Sequence, residues 1–201
     1  MIGCVWRGAL QGEKLNDKTC INLGSGHWKF EGWINIDLDL GSRPEVCADL
    51  GAGLPFRDAC ADLMHNEDFI DQLDLDGARR FLRECHRILK PGGVLRTLMP
   101  DLAKLAKLYR EDPAGLVALW ETHVGIPLET GTAGEVFNLG MRFAGHRFMY
   151  DHETFVRLSR DCGFDARPRS FNQSDVPELR NRDLRGPHNS VSMHYDCYRL
   201  V

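Results

Sequence analysis

No Cys-x-x-Cys pair occurs in the sequence, although it holds seven cysteines, at positions 4, 20, 47, 60, 85, 162 and 197. An odd number without close spacing argues against a disulfide framework and against a zinc ribbon, so no metal site is expected. Cys20, Cys85 and Cys162 fall in apolar patterns, where a thiol serves as a small hydrophobe. Free thiols in a reducing cytoplasm are the expectation. Positive charge is also not in excess: 25 Lys and Arg face 29 Asp and Glu, a net charge of −4. That balance disfavours general attraction to nucleic acid or to an anionic membrane. No apolar run approaches the length of a membrane span. Residues 1–18 have no sustained apolar stretch ahead of a small-residue cleavage site, so no secretory leader is expected. Internal repeats and low-complexity tracts are missing as well.

With 201 residues and 43% hydrophobic content, the chain is long enough for one well-buried core and short for two, which predicts a single domain over residues 1–201. Residues 1–18 read as a lead-in. Short apolar runs predict strands at Thr19 to Leu23, Trp33 to Asp37, Val46 to Asp49, Ala61 to His65 and Val94 to Met99. Ala78, Phe81, Leu82, Cys85, Ile88 and Leu89 recur at helical spacing and predict a helix from Asp76, taken as its N-cap, to Leu89, stopped by Lys90-Pro91-Gly92-Gly93. Leu102 to Tyr109, Ala114 to His123 and Asp151 to Cys162 also read as helices, and segments 164–171 and 191–200 as two last strands joined by a polar connection. Between them, Gly125 to Gly145 is glycine-rich and reads as a mobile loop, so a substrate lid is expected at about 110–147. Strands alternating with helices imply an α/β fold: a mostly parallel sheet with helices on both faces.

The first strand stops at the tight turn Asn22-Leu23-Gly24-Ser25-Gly26, and the second ends on Asp37, followed by Leu38. Bare glycine backbone lets a ligand approach closely, and a carboxylate at the next strand end can grip two ribose hydroxyls. Asp49 with Leu50, and Asn66 with Glu67, follow the third and fourth strands. Ligands of open parallel sheets bind outside the carboxyl ends of the strands, so these groups should meet at one crevice, with an adenine edge near Asp49 and the reactive end near Asn66 and Glu67. Position 29, where a dinucleotide fingerprint needs a third glycine, is Lys29. A pyrophosphate would lack its helix N-terminus, so a cofactor without phosphates fits better.

Read together, Asn22-Leu-Gly-Ser-Gly26, Trp33-Ile-Asn-Ile-Asp37, Ala48-Asp49-Leu50, Leu54-Pro-Phe56 and Leu89-Lys-Pro-Gly-Gly93 resemble the class I methyltransferases that use S-adenosylmethionine (SAM). Phe81 to Leu89, Val94-Leu-Arg96, Pro100-Asp101-Leu102 and Phe148-Met-Tyr-Asp151 are similar to a bacterial group within that family. The likeness covers about residues 19 to 165. It implies a Rossmann-like, seven-stranded and mostly parallel sheet with a C-terminal antiparallel hairpin. It also implies that Gly24, Ser25 and Gly26 approach the methionine and ribose portions of SAM, Asp37 the ribose, and Asp49 with Leu50 the adenine. Three departures stand out: Asn22 replaces an acidic residue, His27 a glycine, and Asp71-Gln72-Leu73 a Glu-His-Leu sequence.

Transfer from a sulfonium needs alignment and exclusion of water, and a base only where the acceptor must lose a proton. His146 is the leading candidate for base or substrate ligand, followed by Tyr150 and Asp101, the last also explicable as a helix cap. The late arginines, including Arg167, Arg169, Arg180, Arg182 and Arg185, read chiefly as a solvated face. The expected function is methyl transfer to a small-molecule acceptor such as a sugar, a peptide or a natural-product intermediate. The alternatives are an enzyme of the same fold that cyclises or cleaves SAM, a SAM-binding partner protein without catalysis, and, third, a nicotinamide-dependent oxidoreductase.

Overall fold

A computed structural model describes residues 14–15, 18–188 and 190–201. Most of the lead-in expected over residues 1–18 lies outside these. The strands are β1 (Lys14–Leu15), β2 (Lys18–Leu23), β3 (Ile34–Asp37), β4 (Val46–Cys47), β5 (Ala61–Glu67), β6 (Leu89–Pro100), β7 (Phe164–Arg169) and β8 (Ser192–Arg199). The helices are α1 (Leu75–Ile88), α2 (Leu102–Glu111), α3 (Pro113–His123), α4 (Ala133–Gly140) and α5 (His152–Asp161). The main path of the sheet runs β4-β3-β2-β5-β6-β8-β7, and β1 adds to β2. β2 to β6 pair in parallel, whereas β8 runs antiparallel to both β6 and β7. This is the Rossmann-like order expected, with its terminal hairpin. The order reverses between β2 and β5, which places a crevice at their carboxyl ends.

One face of the sheet is helical. Ile21, Ile36, Met64 and Leu95 pack there against Phe81, Leu82 and Cys85 of α1 and Phe155 and Leu158 of α5. The stripe that predicts α1 is the stripe it buries. Its N-cap, however, is Asp74, whose Oδ1 accepts from the Gly77 amide at 2.8 Å, and not Asp76, which lies inside the first turn and pairs with Arg79.

On the opposite face Cys20, Leu63 and Val94 are covered by Phe30, Trp33 and Leu179, from the loop after β2 and the connection between β7 and β8. The loop holds its shape through two buried amides. Asn22 Nδ2 donates to the Trp28 carbonyl and to Asn35 Oδ1, while the Asn35 amide group donates to the Phe30 and Trp33 carbonyls. The connection is closed on itself by Asn172 and Asp183, each of whose backbone amides donates to the other's side chain. Between loop and sheet, burial pushes the His65 imidazole down to about 3.

The stretch expected as a glycine-rich mobile loop contains a helix. Thr132 caps α4, and Val136 packs with Leu105, Leu116, Trp120 and Met149 in a separate apolar cluster formed largely by α2, α3 and α4. Among the described residues no helix is long and apolar enough to cross a membrane, and no cluster of His, Cys, Asp and Glu could hold a metal ion.

Candidate functional site

The glycine turn sits at the order reversal. Gly24 has φ +69°, and a Cβ there would come within 3.3 Å of Phe69 Cβ, from the segment after β5. Gly26 has φ +48° and open space where a side chain would be. Both positions therefore need glycine for conformation, and the first for space as well. The turn is tied to β3: the Ser25 amide donates to the Ile36 carbonyl at 2.9 Å and the Gly26 amide to Asp37 Oδ2 at 2.7 Å. Asp37 Oδ1 accepts from the Asp39 amide at 2.8 Å. Each carboxylate oxygen carries one fixed donor and retains lone pairs. Beside it, Leu38 and Leu40 are 63% and 67% exposed, an apolar surface next to a half-buried carboxylate.

Register brings Leu23, Asn66 and Thr97 side by side across β2, β5 and β6. Asn66 is fully buried; its Nδ2 donates to the Leu23 carbonyl and its Oδ1 accepts from Thr97 Oγ1, so the side chain binds strands together. Glu67 turns the other way. Its carboxylate accepts from the Leu184 and Arg185 amides at 3.0 and 2.9 Å, and burial pushes its pKa up to about 7. Asp49 is exposed and accepts from the Gly51 amide, whereas the Leu50 side chain belongs to the core.

A cavity of about 310 Å³ opens between the ends of β6 and β8 and the helices α2 to α4. Leu105, Trp120, Val136 and Met149 make its apolar wall, and His123, His146 and Arg185 supply its basic nitrogens. A second hollow, of about 840 Å³, shares Leu119 and Val191 with the first. Gly24, Gly26, Asp37 and Asp49 line neither.

Of the three residues singled out for catalysis, His146 alone reaches the first cavity. Its Nδ1 lies 2.9 Å from the Gly140 carbonyl and so must carry a proton; its Nε2 lies 3.1 Å from Oδ2 of Asp71, a carboxylate with no solvent exposure. Burial raises the pKa of Asp71. Both ring nitrogens thus face protein oxygens. Tyr150 is completely buried in the core, where its hydroxyl has no partner and its pKa is raised by burial. Asp101 is the cap of α2, accepting from the Ala103 and Lys104 amides. Asp71 and Asp68 were not legible as site residues. Asp68, at φ +53°, forms an ion pair with Arg185, the guanidinium on the cavity wall.

The late arginines are not simply solvated. Arg182 lies over the Phe30 and Trp33 rings, and Arg169 reaches Asp196, a carboxylate with no exposure.

A family model described as a methyltransferase domain matches residues 33–97. Among solved structures, the chain is similar to a SAM-dependent methyltransferase from Methanosarcina mazei, at 16% identity and a TM-score of 0.56, over 94% of this chain and 95% of the other. It is similar as well to one from Mesorhizobium loti, at 16% identity and a TM-score of 0.53, over 90% of this chain and 91% of that one. At such identities the likeness to solved structures is one of fold. No sequence among curated proteins matches significantly. Strand order, family match and shared fold together define the class I methyltransferase fold. Residues 33–97 match the methyltransferase family model, and the whole chain shares the fold of the SAM-dependent methyltransferases.

Proposed function

We propose that the chain is a single cytoplasmic domain that methylates a small molecule held in the cavity beneath α2, α3 and α4, with SAM at the glycine turn. The observation that carries this reading is the juxtaposition of that turn with Asp37. Both turn glycines sit at positive φ, one carboxylate is fixed in direction by the Gly26 and Asp39 amides, and an exposed leucine stands beside it. These features suit an adenosine: Asp37 for the ribose hydroxyls, Leu38 as an apolar surface for the base, and Asp49 with the Leu50 backbone at its edge. Gly24, Ser25 and Gly26 lie against the remainder. Bound there, SAM supplies a methyl group on a positively charged sulfur.

What the protein adds is placement and dryness. Asn66 locks β2 to β5 and β6 at the crevice, and so acts on the site through the sheet. Glu67 holds segment 184–185 against the end of β5 and thereby sets where Arg185 stands. Helices α3 and α4, within the segment 110–147 expected as a lid, roof the cavity with apolar side chains. His146 acts as a positioning residue, its Nδ1 tied to the Gly140 carbonyl and its Nε2 turned toward Asp71 behind the cavity wall. Asp101 and Tyr150 serve the fold.

Calorimetric titration with SAM tests the reading. Asp37→Ala should weaken binding by at least about tenfold, some 1.4 kcal/mol, with the circular dichroism unchanged. An unaltered dissociation constant would refute the role given to Asp37. Formation of S-adenosylhomocysteine, rather than methylthioadenosine, separates methyl transfer from cleavage of the cofactor.

A further inference from the structure

Among the described residues lining the smaller cavity there is no carboxylate: its polar side chains are His123, His146 and Arg185. Two of these three stand beside acids. Arg185 forms its ion pair with Asp68, and His146 lies 3.1 Å from Asp71, yet neither acid lines the cavity. Each pair keeps its acid behind the wall and its nitrogen-bearing partner on the lining. Arg185 is fixed further: its amide donates to Glu67 and its carbonyl lies 3.3 Å from His194 Nε2. The rest of the lining is apolar and includes the Trp120 and Phe143 rings, edge to face with centroids 5.5 Å apart. In a water-poor cavity two such pairs favour an anion and disfavour a cation.

Taking the methyltransferase reading as its basis, we infer that the acceptor is a ring-sized apolar molecule with a weakly acidic hydroxyl, a phenol or enol, held as its anion with the oxygen toward Arg185 and His146. An acceptor held already ionised removes the need for a general base. The hydroxyl proton leaves to water on binding. The oxygen anion then forms its bond to the methyl carbon as the carbon–sulfur bond breaks with its electron pair remaining on sulfur. A neutral methyl ether and a neutral thioether result. Acids close enough to oppose the anion are Asp68, Asp71 and Glu67, all on the far side of the wall; His123, at the open end of the cavity, adds to the attraction when protonated.

The test uses 4-nitrophenol, whose neutral and ionised forms absorb differently, with the whole protein and without SAM. It should bind at least about tenfold more tightly than 4-nitroanisole, which has the same ring and no acidic proton, and its apparent pKa should fall by about one unit on binding. Arg185→Met should abolish the shift, and Arg185→Lys should restore most of it, which separates loss of charge from loss of fold. Leu119→Trp, which fills the cavity from a half-buried wall position, should prevent binding altogether. Equal affinity for the two compounds, binding of 4-nitrophenol in its neutral form, or tighter binding of the cation benzylammonium would overturn the inference. So would no binding of any probe. If the probes fail while Asp37-dependent SAM binding persists, the acceptor class falls and the methyltransferase reading stands.

Discussion

Arg96 on β6 and Asp196 on β8 stand opposite one another in an antiparallel pair, Nη1 of one 3.1 Å from Oδ1 of the other, with neither side chain exposed to solvent. Arg96 also grips Asp183 through Nε and Nη2 and donates to the Gln173 and Ser170 carbonyls. Asp196 in turn accepts from Arg169 and Ser174. One guanidinium thus compensates two buried carboxylates and fastens the 170–183 connection to the middle of the sheet.

Removing that cation leaves Asp183 buried without an opposite charge and Asp196 with Arg169 as its one remaining cation. Arg96→Met should destabilise the protein by about 3–5 kcal/mol, because an uncompensated buried charge costs more than the pair contributes. Urea unfolding measures this. Adding Asp183→Leu and Asp196→Leu to the same variant should recover most of the loss. No recovery would mean that the network's hydrogen bonds, and not its charge balance, carry the stability.

The glycines of the turn differ in what a side chain would meet. Gly24→Ala should cost more stability than Gly26→Ala, since only the first brings Cβ near Phe69, while each adds roughly 1 kcal/mol of left-handed strain. Both should weaken SAM binding. Equal thermal shifts in the two variants would contradict the contact.

The cap of α1 can be checked directly. Asp74→Ala should destabilise by about 1 kcal/mol through loss of the bond to the Gly77 amide, whereas Asp76→Ala should change stability by less than about 0.5 kcal/mol.

Glu67 makes stability depend on pH with a definite sign. Burial lifts its native pKa to about 7, above its usual value of 4.5, so between these the folded protein holds a proton that the unfolded chain releases. Its contribution is therefore complete below about pH 4.5 and is lost as pH rises through about 7. Burial raises Asp71 in the same sense; His65, neutral in the fold down to about 3, works in the opposite sense. Glu67→Gln isolates one group: relative to the parent, the variant should gain about 1–3 kcal/mol between about pH 5 and about pH 8. A constant difference across that range would contradict the buried carboxyl.

Local patterns in the chain foretell those parts of the fold that local physics decides. The stripe from Ala78 to Ile88 and the apolar runs of β2 and β5 give helix and strands because burying one face or both requires that spacing. The turn Gly24-Ser25-Gly26 and Asp37 are legible for the same reason, being set by strand ends. Helix α4 is not legible, since Gly134, Asn138 and Gly140 dilute an eight-residue segment whose formation depends on packing Val136 against its neighbours. Asp74 and Asp76 both precede the apolar stripe of α1, and only geometry separates cap from first turn. The polar run His194-Tyr195-Asp196 looks out of place in a buried strand until Arg96 is found 100 residues away. Glu67 likewise meets its partner 117 residues along the chain. Asn22, where an acid is common among similar sequences, is explained by the donors it gives to Trp28 and Asn35, which a carboxylate lacks.

The self-closed connection over one sheet face links two remote environments by a very short lever. Asp183 is clamped at the sheet centre, and two residues later Arg185 lines the smaller cavity. Leu184 is the one residue of chain between the clamp and Arg185, so a substitution on the far side of the sheet, beside Phe30 or Leu179, should be felt at the cavity wall while α2, α3 and α4 keep their places.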